Sequence, residues 1–471
     1  MTELTCDIAV IGAGAGGLSL AAGAAQFGLE VILVEKGPMG GDCLNYGCVP
    51  SKSLLAAAKR VWQAKHSEAM GLKLNDFEVD FKQVMCHVHE TIAKIAVHDS
   101  VERFEGLGVR VIRESGHFLD KSTLTAGSRF IIAKQFVIAT GSSAAIPPIP
   151  GLDKVKFFTN ETIFNLESLP KHLVVIGGGP IGCELSQAFA MLGSQVTILE
   201  GLNILNQDDA DCVEIVRQSL IKSGVKLHEQ VKVVEILALS DEIIVVCEQD
   251  GKAFQVNGSH LLVAAGRKAN IETLACEKAG IDYTKRGIAV NSRLCTSNKK
   301  IYAIGDVIGQ MQFTHVANAH AGIVLRNIAF KYPAKMRQDA VPWVTFTAPE
   351  LAHVGKTEVQ CTNEGINTQI FRMNYQDNDR AQTEGETAGF IKIMTNHKGK
   401  LLGVSIVGHQ AGELLMPWVM LCKGQSLRNF TDAIVAYPTL SELSKRVASQ
   451  YYTPKLFSPI VKRIVRFLSH F

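Results

Sequence analysis

The feature that most restricts this chain is a repeated unit. Residues 7–11, Asp-Ile-Ala-Val-Ile, read as a buried parallel strand. Gly12-Ala-Gly14-Ala-Gly-Gly17 follows, then a helix-prone run from Leu18 to Phe27. A second apolar strand, Val31 to Val34, ends in Glu35. The same order returns: a strand at Leu173 to Ile176, the turn Gly177-Gly-Gly179-Pro-Ile-Gly182, a helix to about Leu192, and a strand from Val196 to Leu199 ending in Glu200. In both copies the acid lies 23 residues after the first glycine. Glycines at this spacing let the backbone turn tightly and approach a pyrophosphate, which meets the free N–H groups of a helix N-terminus. The strand-end acid accepts hydrogen bonds from a ribose and repels a 2′-phosphate. No Lys or Arg occurs between Gly201 and Val216, so the second site favours NADH over NADPH.

Two such units predict an α/β protein with two Rossmann-like domains. A chain of 471 residues exceeds the about 250–300 at which one core stops growing, so several domains are expected. Two further apolar strands end in glycine turns, Phe136 to Ala139 before Thr140-Gly141 and Leu261 to Ala265 before Gly266. Pro147, Pro148, Pro150 and Gly151 form a rigid connector between the copies. Alternation around Ile243–Cys247 suggests inserted antiparallel strands, and mixed patterns from Pro342 onward suggest a separate α+β domain.

Lys plus Arg number 48 against 45 Asp plus Glu, too even a balance to draw in nucleic acid. No apolar run reaches the ~18 residues of a membrane span. The N-terminus has an acid where a secretory signal carries basic residues, and the eleven cysteines are scattered. A cytoplasmic chain with reduced thiols is expected.

One close pair stands apart. Cys43 and Cys48 flank Leu-Asn-Tyr-Gly, just after the first unit. Such a pair can be two core thiols, a redox couple or part of a metal site. No second Cys or His pair lies nearby at zinc spacing. Gly40, Gly41 and Gly47 supply backbone freedom, and Pro50-Ser51-Lys52-Ser53 continues into a helix whose N-terminus would stabilise a thiolate.

Gly-Gly-Asp-Cys-Leu-Asn-Tyr-Gly-Cys-Val-Pro-Ser-Lys resembles the redox-disulfide signature of the pyridine nucleotide–disulfide oxidoreductases, which include dihydrolipoamide dehydrogenases and mercuric reductases. Thr140-Gly141, Gly266-Arg267, Tyr302-Ala-Ile-Gly-Asp306, Phe346-Thr-Ala-Pro-Glu350 and Gly385-Glu-Thr-Ala-Gly-Phe390 fall in that family's order. The resemblance implies a homodimeric flavoprotein. Residues 1–150 would form an FAD domain and 151–270 an NAD domain. Residues 271–340 would return to the FAD domain, and 341–471 would form the dimerisation domain. Gly12, Gly14, Gly17, Glu35, Lys36, Gly41, Asp42, Thr140, Gly141 and Asp306 would serve FAD; Gly177, Gly179, Gly182, Glu200 and Gly266 would serve NAD(H). Cys48 would lie next to the flavin and Cys43 would exchange with a small disulfide or dithiol. Lys52 would sit near flavin N5 and pair with Glu184. No metal site is implied.

The chain also departs from the family. Where many members carry His-Pro-Thr-x-x-Glu, this chain has Tyr437-Pro-Thr-Leu-Ser-Glu442. By resemblance these two residues complete the site of the partner subunit. Tyrosine has an ordinary pKa near 10, so it is a poor base at pH 7. Mercuric reductases have tyrosine there too, together with a C-terminal cysteine pair that this chain lacks, its last cysteine being Cys422. Asp42 stands where threonine is usual. The first expectation is therefore a dihydrolipoamide dehydrogenase-like NADH:disulfide enzyme. A second is a reductase of a thiol-bound metal ion or a quinone. A third is a flavin-binding partner subunit with vestigial catalysis, against which the intact Cys43, Cys48, Lys52 and Glu184 speak. Residues 455–471 form a basic, apolar-periodic tail. The pattern suits a helix packed on its own dimer, the reading the sequence favours, and also a helix in peripheral contact with a membrane.

Overall fold

The computed structural model describes residues 2–74, 77–239, 242–337 and 340–471. The chain forms two compact units, residues 1–201 with 230–337, and residues 202–229 with 338–471. Both glycine turns lie in the first unit. The proline connector is no boundary between units: the Ile236 N–H donates to the Pro150 carbonyl at 2.9 Å, tying it to the strand Lys232–Leu239.

In the first unit the strand Thr2–Ile11 pairs in parallel with Val31–Val34 on one side and Arg129–Ile138 on the other. Val109–Ile112 extends the sheet beyond Val31–Val34, and Ile301–Ala303 pairs with Arg129–Ile138. Ile8, Ala9 and Val10 are wholly buried, as both faces of a parallel sheet require. The strand starts five residues before the expected one. Its first half alternates exposed and buried residues, paired with Arg129–Ala133, and lacks the continuous apolar run that marks the second half. The helix Ala15–Gln26 follows the first glycine turn. The second copy repeats this: Gln195–Leu199, His172–Ile176 and His260–Val263 run parallel, with the helix Pro180–Leu192 after the turn. The inserted antiparallel strands are Lys232–Leu239, Glu242–Gln249 and Lys252–Gly258.

The second unit holds an antiparallel sheet in the order Pro342–Thr345, Glu350–Gly355, Leu401–Gly408, Phe390–Thr395 and Gln369–Asn374. Trp418, Leu443 and Val447 pack on it fully buried. Lys392, in a wholly buried strand, reaches Asp209 and Asp211 at 2.9 Å each and Glu358 at 2.5 Å. Burial disfavours its charge, but the bonds from Glu358, Asp211 and Asp209 prevail and raise its pKa. The tail folds as two short helices, Thr453–Leu456 and Pro459–Leu468.

The two glycine turns match in detail. Gly12 has φ +107° and Gly177 +111°, and a Cβ on either would lie 2.4 Å from a carbonyl oxygen, of Ala139 or Ala264. A Cβ on Gly17 or Gly182 would lie 1.9 Å from the carbonyl oxygen of Gly12 or Gly177. Around Gly179 nothing lies within 4 Å. Gly182→Ala should therefore lower stability by about 1–3 kcal/mol through overpacking. Gly179→Ala should leave the melting temperature unchanged while weakening dinucleotide binding, which calorimetry on both variants would check.

Candidate active site

The first turn of each glycine-following helix has no side-chain cap; Gly14 and Gly179 occupy the N-cap positions. Backbone N–H groups and the helix dipole there are open to an anion. Glu35 holds the turn by accepting from the Ala13 and Gly37 N–H groups, at 2.6 Å each, and Glu200 accepts from the Gly178 N–H. Gly14 and Gly41 pack so closely that a Cβ on Gly41 would lie 2.6 Å from the Gly14 Cα. The Thr140-Gly141 turn is fixed by Asn270: Thr140 Oγ1 donates to its carbonyl at 2.7 Å and Asn270 Nδ2 donates to the Thr140 carbonyl at 3.0 Å. Gly141 and Gly266 have open space where a side chain would be. These residues fit two dinucleotides: paired anion cradles, a carboxylate at each strand end, and open space beside Gly141, Gly179 and Gly266. Lys36 is exposed at the end of its strand.

Asp42 and Asp306 meet at Arg267. The Arg267 guanidinium is 3.0 Å from Asp42 and 3.9 Å from Asp306, and Asp306 accepts from Ser142 Oγ at 2.6 Å. Asn160, buried, donates to Asp42 at 3.1 Å. The aspartate that replaces the family's usual threonine is thus the anchor of an arginine. Burial raises the pKa of Asp306, opposed by the Ser142 bond and the Arg267 charge.

The helix Cys48–Lys65 begins at the second cysteine of the pair. All eleven cysteines are free thiols, and Cys43 and Cys48 are hydrogen-bonded to each other. Thr314 Oγ1, at the start of the helix Thr314–Ala329, lies 3.7 Å from the Cys48 sulfur. One turn on from Cys48, Lys52 Nζ is 2.6 Å from Glu184 Oε2, whose side chain is buried in the helix Pro180–Leu192. A carboxylate so placed requires a cation. The bond from Cys43, then those of Thr314 and the Lys52 charge, pull the Cys48 pKa down to about 6, against the effect of burial. The same bond and burial push Cys43 far up. At neutral pH the pair keeps one proton, on Cys43, and Cys48 is the thiolate.

Tyr437 pairs with Asp379 and not with Glu442. The Tyr437 hydroxyl donates to Asp379 Oδ2 at 2.9 Å, and this bond raises its pKa. Tyr437 is 70% exposed, whereas Glu442 turns inward. One Glu442 oxygen lies 3.7 Å from Arg446; the other is buried with no hydrogen-bond partner among the described residues. Glu442 borders a pocket of about 340 Å³ with Val435, Lys445, Arg446 and Ser449. Asp379 supplies the orienting carboxylate because the Asn378-capped helix Asp379–Glu384 brings it beside the tyrosine, 58 residues away in sequence. Sequence reasoning missed Asp379, Thr314, Asn160 and Ser142. None belongs to a local motif, so only their long-range contacts identify them.

A sheet-and-glycine scaffold carrying two dinucleotide cradles, with a thiol pair beside a lysine held by a buried glutamate, defines a flavoprotein oxidoreductase acting on sulfur. Comparison with known proteins agrees. Residues 6–321 match the pyridine nucleotide-disulphide oxidoreductase family, and residues 341–448 match its dimerisation domain. The chain belongs to that family, uses flavin and nicotinamide cofactors, and is a homodimer. It is 33% identical to a mercuric reductase of Lysinibacillus sphaericus over 95% of this chain and 83% of that one. It is 34% identical to a dihydrolipoyl dehydrogenase of Geobacillus stearothermophilus, over 93% and 94%. The Cu(II) complex of the HOCl-induced flavoprotein disulfide reductase RclA from Escherichia coli superposes with a TM-score of 0.85 at 27% identity, covering 94% of this chain and 99% of that one. No helix among the described residues is long and apolar enough to cross a membrane.

The electrostatics of the thiol pair give a measurable sign. The Cys48 thiolate should persist above pH about 6 and be lost as pH falls through that value. Removing the donor with Cys43→Ala should move this titration upward. Lys52→Met should move it upward less, its charge being a smaller contributor. Ultraviolet thiolate absorbance against pH reads all three.

Proposed function

We propose that the chain is an FAD-dependent NADH:disulfide oxidoreductase working chiefly as a reductase. The Cys43–Cys48 pair, with its single shared proton beside Lys52 and Glu184, carries the reading. FAD would be held by Gly12, Gly14, Gly17, Glu35, Gly41, Thr140, Gly141 and Asp306, with Asp42 acting through Arg267. NADH would be held by Gly177, Gly179, Gly182, Glu200 and Gly266. The division at residues 150, 270 and 340 serves as the functional layout, in a cytoplasmic enzyme.

Bound flavin supplies the two-electron link between nicotinamide and the cysteine pair. The chain's own groups do the sulfur chemistry. Cys43 gives its proton to the Cys48 thiolate as it attacks one sulfur of a substrate disulfide, forming a mixed disulfide and expelling a thiolate that takes that proton from Cys48. The Cys48 thiolate then attacks the Cys43 sulfur, closing the enzyme disulfide and releasing the second substrate thiolate. Two electrons pass from the enzyme dithiol to the substrate. Lys52 keeps Cys48 anionic, and Glu184 keeps Lys52 in place.

Tyr437 decides the direction. Dithiol oxidation requires a base to take thiol protons, worth ~10²–10⁴-fold. Tyr437 keeps its own proton and commits it to Asp379, so it cannot serve. A second reading has a thiol-bound metal ion as the substrate. It is supported by the exposed Tyr437 hydroxyl oxygen and by likeness to mercuric reductases and to the copper complex of RclA.

Cys43→Ser should abolish disulfide turnover with NADH while leaving flavin reduction intact; full turnover in this variant would refute the assigned exchange role. Wild-type oxidation of dihydrolipoamide should be weak at pH 7 and rise toward the ordinary thiol pKa of ~8.5. Tyr437→His should raise that activity and lower its pH optimum. Unchanged activity in this variant would show that the missing base is not what limits the reaction.

A further inference from the structure

The segment after the family's dimerisation domain has a chemistry of its own. The match to that domain ends at residue 448. No acid follows Glu442, while Lys445, Arg446, Lys455, Lys462, Arg463 and Arg466 do. The whole chain carries +3, so the part before Leu443 carries −3 and the last 29 residues +6. This is an acidic body with a cationic end.

The tail has a firm root and a free helix. Lys455 Nζ bonds the Tyr451 hydroxyl at 2.6 Å and lies 3.9 Å from the centre of its ring, and Tyr451 is itself buried. A break at Phe457 follows. Ser458 then caps a new helix by accepting from the Val461 N–H, with Pro459 in its first turn. No residue of Pro459–Leu468 is buried. Phe457, Ile460, Ile464, Val465, Phe467, Leu468 and Phe471 are 51–94% exposed. At about 3.6 residues per turn these residues and Val461 share an arc of about 160°. Lys462, Arg463, Arg466, Ser469 and His470 occupy the opposite arc of about 120°.

We propose that the helix Pro459–Leu468 docks on the surface of an anionic lipid bilayer. Its apolar arc would sink to the acyl boundary, with the cations at the phosphate level. A broad apolar face rich in Phe, Ile and Leu, opposite a polar face that carries three cations and no acid, is the pattern of an interfacial helix. A second copy of the chain is a poorer occupant. The match to the dimerisation domain ends before the tail, and two such helices paired with each other would bring like-charged segments together. Four cations within residues 455–471 supply the attraction to acidic headgroups that an apolar face of this length alone lacks.

The test is cosedimentation of the full-length flavin-loaded enzyme with phosphatidylcholine vesicles, with and without phosphatidylglycerol. The wild type should bind the anionic vesicles at least about tenfold more tightly than the neutral ones, and less at high salt. Deletion of residues 458–471, and separately Ile464→Glu, should each reduce binding at least about tenfold. Both should leave the dimer intact in analytical ultracentrifugation and NADH-dependent turnover unchanged. Phe467→Trp should show a blue-shifted emission with anionic vesicles only. Equal binding to neutral vesicles, retained binding after the deletion, or a monomer in the deletion variant would each overturn the proposal.

Discussion

The first unit depends on one close contact, made twice: a helix whose third motif glycine lies against the carbonyl of the first. A Cβ on Gly17 or Gly182 would lie 1.9 Å from that oxygen, so only hydrogen there lets the helix start so near the end of the sheet. From that approach the rest follows. The helix N-terminus, uncapped by any side chain, becomes an anion cradle. The next strand ends level with the turn, so Glu35 and Glu200 can bond the turn's own N–H groups. The helix of the second copy also carries the carboxylate that holds Lys52.

The thiol pair shows how position sets reactivity. Two cysteines of the same ordinary acidity are driven apart because one donates to the other, and Thr314 and Lys52 lie on the acceptor's side. The result is one thiol that keeps its proton and one neighbour that releases it readily and can accept that proton in turn. The Tyr437–Asp379 bond points the same way, since it holds the proton on the hydroxyl that stands where many family members have a histidine.

Much of this was legible in the sequence because its causes are local. The glycine turns, the strand-end acids and the cysteine spacing each lie within one short segment, where backbone sterics and hydrogen-bond geometry act directly. Lys52 and Glu184, 132 residues apart, were paired only through the family likeness. The Asp42–Arg267 contact was not foreseen at all, because nothing near Asp42 marks an arginine more than 200 residues away as its partner. Glu442 was grouped with Tyr437 only through the family likeness. The start of the helix Ser441–Gln450 instead turns it inward, and Asp379 takes its place. The early half of the first strand was hidden for a different reason: its exposed alternate residues imitate a surface loop.

Lys392 has a consequence for how such proteins can be rebuilt by recombination. Its ammonium is buried in the C-terminal sheet, yet two of its three carboxylate partners, Asp209 and Asp211, come from a segment that in chain order belongs to the nucleotide-binding half. A cut at residue 340 would leave that buried cation with Glu358 alone, a costly loss of compensation. The dimerisation module is therefore not a portable cassette. Its inheritance is bound to that of a short insert in the preceding domain, and a chimera that exchanges one without the other separates a charge from its counterions.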